Sequence, residues 1–510
     1  MRKWQVLVLL IGVSFLSDDL VGMKKRNKSK KSINKDFFDL SYDDQYEVLE
    51  FIDNKSIYDF MLSSKKPYES VKHYLSTYKS KWRVVKINYG KSNKEYLDRC
   101  IKNNLGFRLR LIYHKGGFLS IPASDKLIEI DFSELGNGVS LGDMEWSRFP
   151  NLECVNIGRC KISKKTMNSL GESCKKLKCL RICDSECYKW EDQDRSVGLY
   201  KYGELDWELV DWGKFKNLEE LEIKFPSEQM KKAGQNGLPA IVISKIADSC
   251  PGLKKLKIFA NCKGSGCCTF DGVDWSKLKM LDDLCLEFNT IIGSEMINNI
   301  ARSCKKLRTF HMKRACWDWF CDLSEIRRFE LKDVDWRLFL NLSRLYLISN
   351  NLDGNLMNKI GDALGGKLRV LTIGRPESFF ERKGFLNNVK FEKFSQLTEL
   401  NIIFSCITKK NIEAIASSCR FLEDFSLVGV KDGLGGWCGI DWSKFSKLRR
   451  ITACNLDISM RFPILILDGL NTIIVAQSYF SFVRSNGYLK NVTIISDDRI
   501  LKVKDAMELD

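Results

Sequence analysis

Only three histidines occur among the 510 residues: His73, His114 and His311. Acid–base and metal chemistry near neutral pH draws first on histidine, and none of the three has a nucleophile or second ligand at motif spacing. His311 lies between Phe310 and Met312, an alternation that puts it on the outward face of a strand. Cysteine is the next candidate. "CKGSGCC" gathers Cys262, Cys267 and Cys268 in a glycine-rich loop, and Cys179, Cys183 and Cys187 form a second group. A zinc site needs a further ligand pair at matching spacing, which neither group has. A thiol activity at Cys267 or Cys268 is the one enzyme-class alternative. "GDALGGKL", from Gly361, approximates a phosphate loop, but Leu368 replaces the metal-binding hydroxyl. The segment also runs helix to strand where that loop runs strand to helix. No catalytic set, metal or cofactor is therefore expected.

The strand that carries His311 belongs to a phrase the chain writes repeatedly. "VDWGKFKNLEELEI" at Val210 returns as "VDWSKLKMLDDLCL" at Val273, "VDWRLFLNLSRLYL" at Val334 and "IDWSKFSKLRRITA" at Ile440. "MEWSRFPNLECVNI" and the looser "VKFEKFSQLTELNI" belong to the same series. The core, Leu-x-x-apolar-x-apolar, recurs from Leu127 to frames at Leu470 and Leu489, mostly at spacings in the twenties. That is the period of leucine-rich repeats. One unit cannot bury its own leucines, so the units must stack. The expected fold is an α/β leucine-rich-repeat solenoid, a horseshoe with a parallel sheet on its concave face. Alternate units carry a helical phrase instead of Asp-Trp, such as "ISKIADSCPGLKKLKI" at Ile243 and "IEAIASSCRFLEDFSL" at Ile412. Trp146, Trp212, Trp275, Trp336 and Trp442 are expected to fill the convex side where no long helix exists.

Composition excludes several classes. The net charge of +17 invites a nucleic-acid reading, but outside "KKRNKSKK" at 24–31 the cations are scattered among 65 acidic residues. Nineteen cysteines is an odd number, and a long chain with 44% hydrophobic residues has no need of a disulfide framework. The N-terminus, "MRKWQVLVLLIGVSFLSDD", has a basic start, a short apolar run and a polar continuation, the layout of a secretory signal peptide. No other run is long and apolar enough to span a bilayer, so no membrane association is expected after cleavage. Asn27, Asn54, Asn341 and Asn491 open glycosylation sequons.

The helical phrase, "I-A-x-S-C-x-x-L-x-x-L", resembles the cysteine-containing leucine-rich repeat of F-box proteins. Cys174, Cys250, Cys304 and Cys419 hold its cysteine position and Leu364 the equivalent place, which marks these thiols as small buried hydrophobes. Ahead of the repeats, "FFDLSYDDQYEVLEFIDNKSIYDFMLSSKKPYESVKHYL" has the apolar order of an F-box. Ser41 stands where that family has Pro, and Asp44 and Gln45 replace apolar residues. The resemblance implies a substrate receptor of a cullin-type ubiquitin ligase. Leu40, Val48, Leu49, Ile52, Ile57 and Phe60 would dock on a Skp-family adaptor, and the cullin scaffold would follow. A signal peptide combined with an F-box is similar to the secreted salivary effectors of gall midges, such as the Hessian fly. That similarity implies secretion and action in the host cytoplasm or nucleus. Without a signal peptide the expectation is cytoplasmic.

The resulting division is signal peptide 1–22, basic linker 23–36, F-box-like helices 37–75, linker and solenoid cap 76–125, and leucine-rich repeats 126–510. Target contacts are expected on the concave face, with Arg181, Glu222, Lys257, His311, Tyr346, Asn401 and Arg450 as candidates. Cys285 and Thr372 are placed on that solvent face too. Mixed charge along the arc fits a folded protein target better than a phosphate backbone. Insertions at 184–210, 226–240 and 376–388 are expected to rim the horseshoe. The alternative to the ligase subunit is a horseshoe that sequesters a partner with no adaptor at all.

Overall fold

The computed structural model describes the strands at 84–88, 107–112, 472–475 and 493–496, and most of 121–183, 207–225, 240–260, 270–288, 293–314, 331–349, 352–375, 386–428 and 440–454. The segment 37–75 with its six proposed adaptor contacts lies outside the described residues. So do the apolar N-terminus, the basic run, His73, His114, Cys187 and the loop Cys262–Cys268.

Stacking is visible in the strand order. The strands are β1 (Val84–Asn88), β2 (Phe107–Ile112), β3 (Leu127–Glu134), β4 (Cys154–Ile157), β5 (Cys179–Cys183) and β6 (Glu220–Phe225). There follow β7 (Lys255–Ala260), β8 (Asp283–Phe288), β9 (Thr309–Arg314), β10 (Arg344–Ile348), β11 (Val370–Gly374) and β12 (Glu399–Ile403). The last are β13 (Cys406–Ile407), β14 (Asp424–Val428), β15 (Lys431–Asp432), β16 (Arg450–Cys454), β17 (Thr472–Val475) and β18 (Thr493–Ser496). Sixteen of them form one sheet in sequence order, and β13 pairs separately with β15. Every pairing among the described strands is parallel, as when β9 meets β10 and β10 meets β11. The sheet begins at Val84, so the segment read as linker and cap supplies its first two strands. At the far end Ile473 pairs with Ile494, which sets the last repeat frame at Asn491 and corrects the expected frame at Leu489.

Two kinds of return path cover the convex side. Five helices alternate with short 3-10 turns: α1 (Lys164–Ser173), α2 (Ala240–Ser249), α3 (Ser294–Ser303), α4 (Gly354–Leu364) and α5 (Lys409–Ser418). All but one of the described 3-10 turns, that at Trp207–Leu209, begin at the repeated aromatic: Trp146, Trp212, Trp275, Trp336, Phe391 and Trp442. All six rings are buried, together with the inward leucines of the strands, in one core from Ile121 to Ile451. In three of these turns the preceding Asp is a cap: Asp274, Asp335 and Asp441 accept the backbone N–H of Ser276, Arg337 and Ser443. That is why Asp-Trp is written as a pair.

Neighbouring units are latched by groups the repeat phrase disguises. Asn168, Asn298 and Asn358 each directly follow a buried apolar residue in the first half of a helix. Each accepts the N–H at the start of the next 3-10 turn, at 2.9, 2.8 and 2.8 Å. The thiols at the repeated cysteine position are more than small hydrophobes. Cys174 donates to the Phe149 carbonyl, Cys250 to that of Phe215, Cys304 to that of Trp275 and Cys419 to that of Phe394, at 3.4–3.8 Å. Each carbonyl belongs to the preceding 3-10 turn, and those of Phe149, Phe215 and Phe394 also accept the backbone N–H of Leu152, Leu218 and Leu397, so the thiol is a second donor that ties helix to turn. Burial pushes each of these four thiols up to about 12. α4 has Leu364 there and instead approaches the next turn through Gly365, whose Cβ would lie 1.7 Å from the Lys393 oxygen.

Candidate protein-recognition face

Strict parallel register turns outward residues into straight rows across the concave sheet. Arg181 faces Glu222, which faces Lys257. The same row continues through Cys285 and His311 to Tyr346, Thr372 and Asn401. Six of the seven expected contact residues therefore share one row. Arg450 lies in the adjacent row, opposite Asp424. With about 4.8 Å between strands, the seven steps from Arg181 to Asn401 span roughly 34 Å.

The row changes character along its length. At the N-terminal end Arg181 sits between two carboxylates, its Nη2 2.7 Å from Glu220 and its Nε 3.9 Å from Glu222. Burial alone would raise the Glu220 carboxyl, but the Arg181 hydrogen bond and charge outweigh it and hold it below its usual range. Lys255 approaches Glu220 from the next strand at 3.7 Å. The Cys154 thiol is hydrogen-bonded to Cys179, its register partner, and that bond together with burial keeps it protonated. Asp283 is pushed upward by burial, against the attraction of Lys257 and Lys255. Lys313 pairs with the buried Glu287 at 3.0 Å.

Toward the C-terminal end charge gives way to packing. The His311 and Tyr346 rings stack with centroids 5.2 Å apart. His311 is half-buried as a residue, but its Nε2 is fully buried and has no hydrogen-bond partner. Burial of that nitrogen, with Lys313 and Lys257 nearby, pulls the imidazole down to about 3. Asn401 donates to Thr372 at 3.0 Å and to Glu399 at 2.7 Å. Ile348, Val370 and Ile403 are buried beside them. Two expectations are corrected here: Cys285 and Thr372 are buried, not solvent-facing. Alternation fixes the face of the sheet, but cover comes from neighbours across the strands. Cys183 is the last residue of β5 and donates to Glu222 at 3.6 Å.

Among the described residues no three metal-ligating side chains come together, and no helix is long and apolar enough to cross a membrane. The segment from Gly361 runs from α4 into β11, helix to strand.

The sequential parallel sheet, inward leucines and alternating helical and 3-10 returns define a leucine-rich-repeat solenoid. No protein-family model matches the chain, and no curated protein matches it. Among solved structures it is similar to TLR13 in a TLR13–ssRNA13 complex, at 14% identity and a TM-score of 0.35, covering 81% of this chain and 67% of that one. An internalin of Listeria monocytogenes gives 14% and 0.32, with 69% and 76% covered. A leucine-rich-repeat protein of Leptospira interrogans gives 13% and 0.30, with 68% and 91% covered. The fold class rests on the register described above.

Proposed function

We propose that this chain is a non-catalytic substrate receptor: its concave row holds a target protein, and residues 37–75 dock on a Skp-family adaptor of a cullin-type ubiquitin ligase. The observation that supports target binding is the unbroken row from Arg181 to Asn401. It offers mixed charge at one end and the His311–Tyr346 stack at the other, all on rigid strands. Aromatic anchors beside a polar rim are the layout protein interfaces use. The adaptor arm is supported by the F-box-like order of Leu40, Val48, Leu49, Ile52, Ile57 and Phe60 ahead of cysteine-containing repeats. Secretion and delivery into host plant cells is the reading supported by the apolar N-terminus.

The test is copurification with a Skp-type adaptor. A complex at micromolar concentration that disappears in Leu49→Asp and Ile52→Asp is the expected result. No complex, or one indifferent to both substitutions, leaves the second reading: a horseshoe that binds and blocks its partner. The departures at Ser41, Asp44 and Gln45 favour that second reading.

A further inference from the structure

The residue preceding each strand forms a backbone-bonded row along one edge of the solenoid. There Glu153, Lys178, Glu219, Lys254, Asp282 and Arg308 alternate strictly in sign. The alternation is used: Lys178 pairs with Glu153 at 3.1 Å and Lys254 with Glu219 at 2.7 Å. Past Arg308 it is interrupted, and it resumes only at Glu423 and Arg449, 3.6 Å apart. Ser343 and Thr398 take the acidic places on either side of Arg369. Within the sheet Arg344 likewise lies between Thr309 and Val370. Arg369 turns to the Gln396 carbonyl and side chain, at 2.9 and 2.8 Å. Among the described residues Arg308 and Arg344 have no ion-pair partner, and both are exposed.

A second, independent ladder breaks at the same joint. On the convex side Glu172 bridges to Lys214 at 2.5 Å, Asp362 to Lys393 at 2.6 Å, and Asp248 to Lys277. At α3 the helix residue is Arg302 and the turn residue facing it in the repeat frame is Leu338, so neither member of the pair is present; at α5 only the acid is replaced, Ser417 standing opposite Lys444. The turn that follows exposes Leu340 to 52%, where the corresponding turns carry Lys216, Lys279, Ser395 and Ser446.

Both charge ladders therefore lack an acid at the joint where Leu340 is turned to solvent. We infer that the strand-entry edge from β9 to β11 is a docking surface for an acidic protein segment, its carboxylates taken by Arg308, Arg344 and Arg369 and an apolar residue set on Leu340. Guanidinium groups grip carboxylates through paired hydrogen bonds. Among the described residues no exposed aromatic stands at this joint to stack a base, whereas three guanidinium groups and an exposed leucine suit an acidic segment with an apolar side chain. The inference deepens the protein-binding reading and rests on it, yet it concerns the edge and needs neither the adaptor nor the concave row.

Fluorescence anisotropy of the full chain with a labelled peptide of repeated Glu-Asp-Leu tests it. Saturable binding is expected, weakened roughly tenfold or more in Arg308→Ser/Arg344→Ser/Arg369→Ser and by raised salt. Leu340→Lys restores a residue type the sister turns carry, so it folds, and it is expected to weaken binding although it adds positive charge. Tighter binding by Leu340→Lys, unchanged binding by the triple variant, or equal loss in a control lacking Lys176, Lys216 and Lys279 would overturn the inference. Equally tight binding of single-stranded DNA, lost in the triple variant, would also overturn it. Adaptor copurification is measured separately, so failure of one reading is not failure of the other.

Discussion

Replacing Trp336 separates packing from chemistry at the repeated indole. The ring is buried, stacked at 5.7 Å on Phe339, which in turn stacks at 5.4 Å on Phe310 of β9. Trp336→Ala empties this three-ring stack between adjacent units, a change that costs about 3–5 kcal/mol in a rigid core. Trp336→Phe is a different perturbation. It removes part of the ring, worth about 1–2 kcal/mol of transfer. It also removes an indole N–H that is buried without a hydrogen-bond partner, whose burial costs about 1–3 kcal/mol. The two terms offset, so Trp336→Phe is expected within about 1 kcal/mol of the parent. The chain has made this substitution itself, since Phe391 is buried at the equivalent place. Urea unfolding followed by far-ultraviolet circular dichroism gives both values. A loss below about 1 kcal/mol for Trp336→Ala, or equal losses for both variants, refutes convex packing as the role of the indole.

Three further outcomes follow from buried groups. His311 has a folded value near 3 against 6.5 unfolded, so the unfolded chain binds the extra proton between those limits. Its contribution to stability is complete above pH 6.5 and falls on acidification. The loss reaches roughly 2 kcal/mol at pH 5, and between pH 7.5 and 5 the unfolding free energy of His311→Gln from urea titration should fall by that much less than the parent's. Gly365→Ala forces a methyl against the Lys393 carbonyl and is expected to destabilise by more than about 2 kcal/mol, whereas Gly366→Ala, with open space, is nearly neutral by thermal melting. Cys174, Cys250, Cys304 and Cys419, with thiols held near 12, should resist iodoacetamide at neutral pH until urea is added; peptide mass spectrometry reads this directly, and rapid labelling of the folded chain contradicts their burial.

The leucine period, the Asp-Trp turns and the cysteine position were all legible in the sequence because each reflects a constraint inside one repeat. So was the shared face of Arg181, Glu222, Lys257, His311, Tyr346 and Asn401, since alternation fixes a face strand by strand. What escaped depends on relations between repeats. A frame at Leu489 and one at Asn491 differ by two residues, keep every side chain on the same face, and are separated only by the pairing of Ile473 with Ile494. Cys285 and Thr372 point outward as expected but are covered by neighbours across the strands, remote in the chain. The latches of Asn168, Asn298 and Asn358 had a signal, an Asn directly after a buried apolar residue in the first half of the helix. It passed for an ordinary polar helix position.

Quantitative ubiquitin-remnant proteomics in plant cells bears most directly on the receptor account. Cells expressing the parent chain are compared with cells expressing Leu49→Asp/Ile52→Asp and with cells expressing Lys257→Ala/Tyr346→Ala. At least one protein is predicted to gain ubiquitin with the parent and with neither variant. Identical profiles in all three, with each chain folded and expressed, would contradict a receptor that joins a target on the concave row to a ligase at its N-terminal segment.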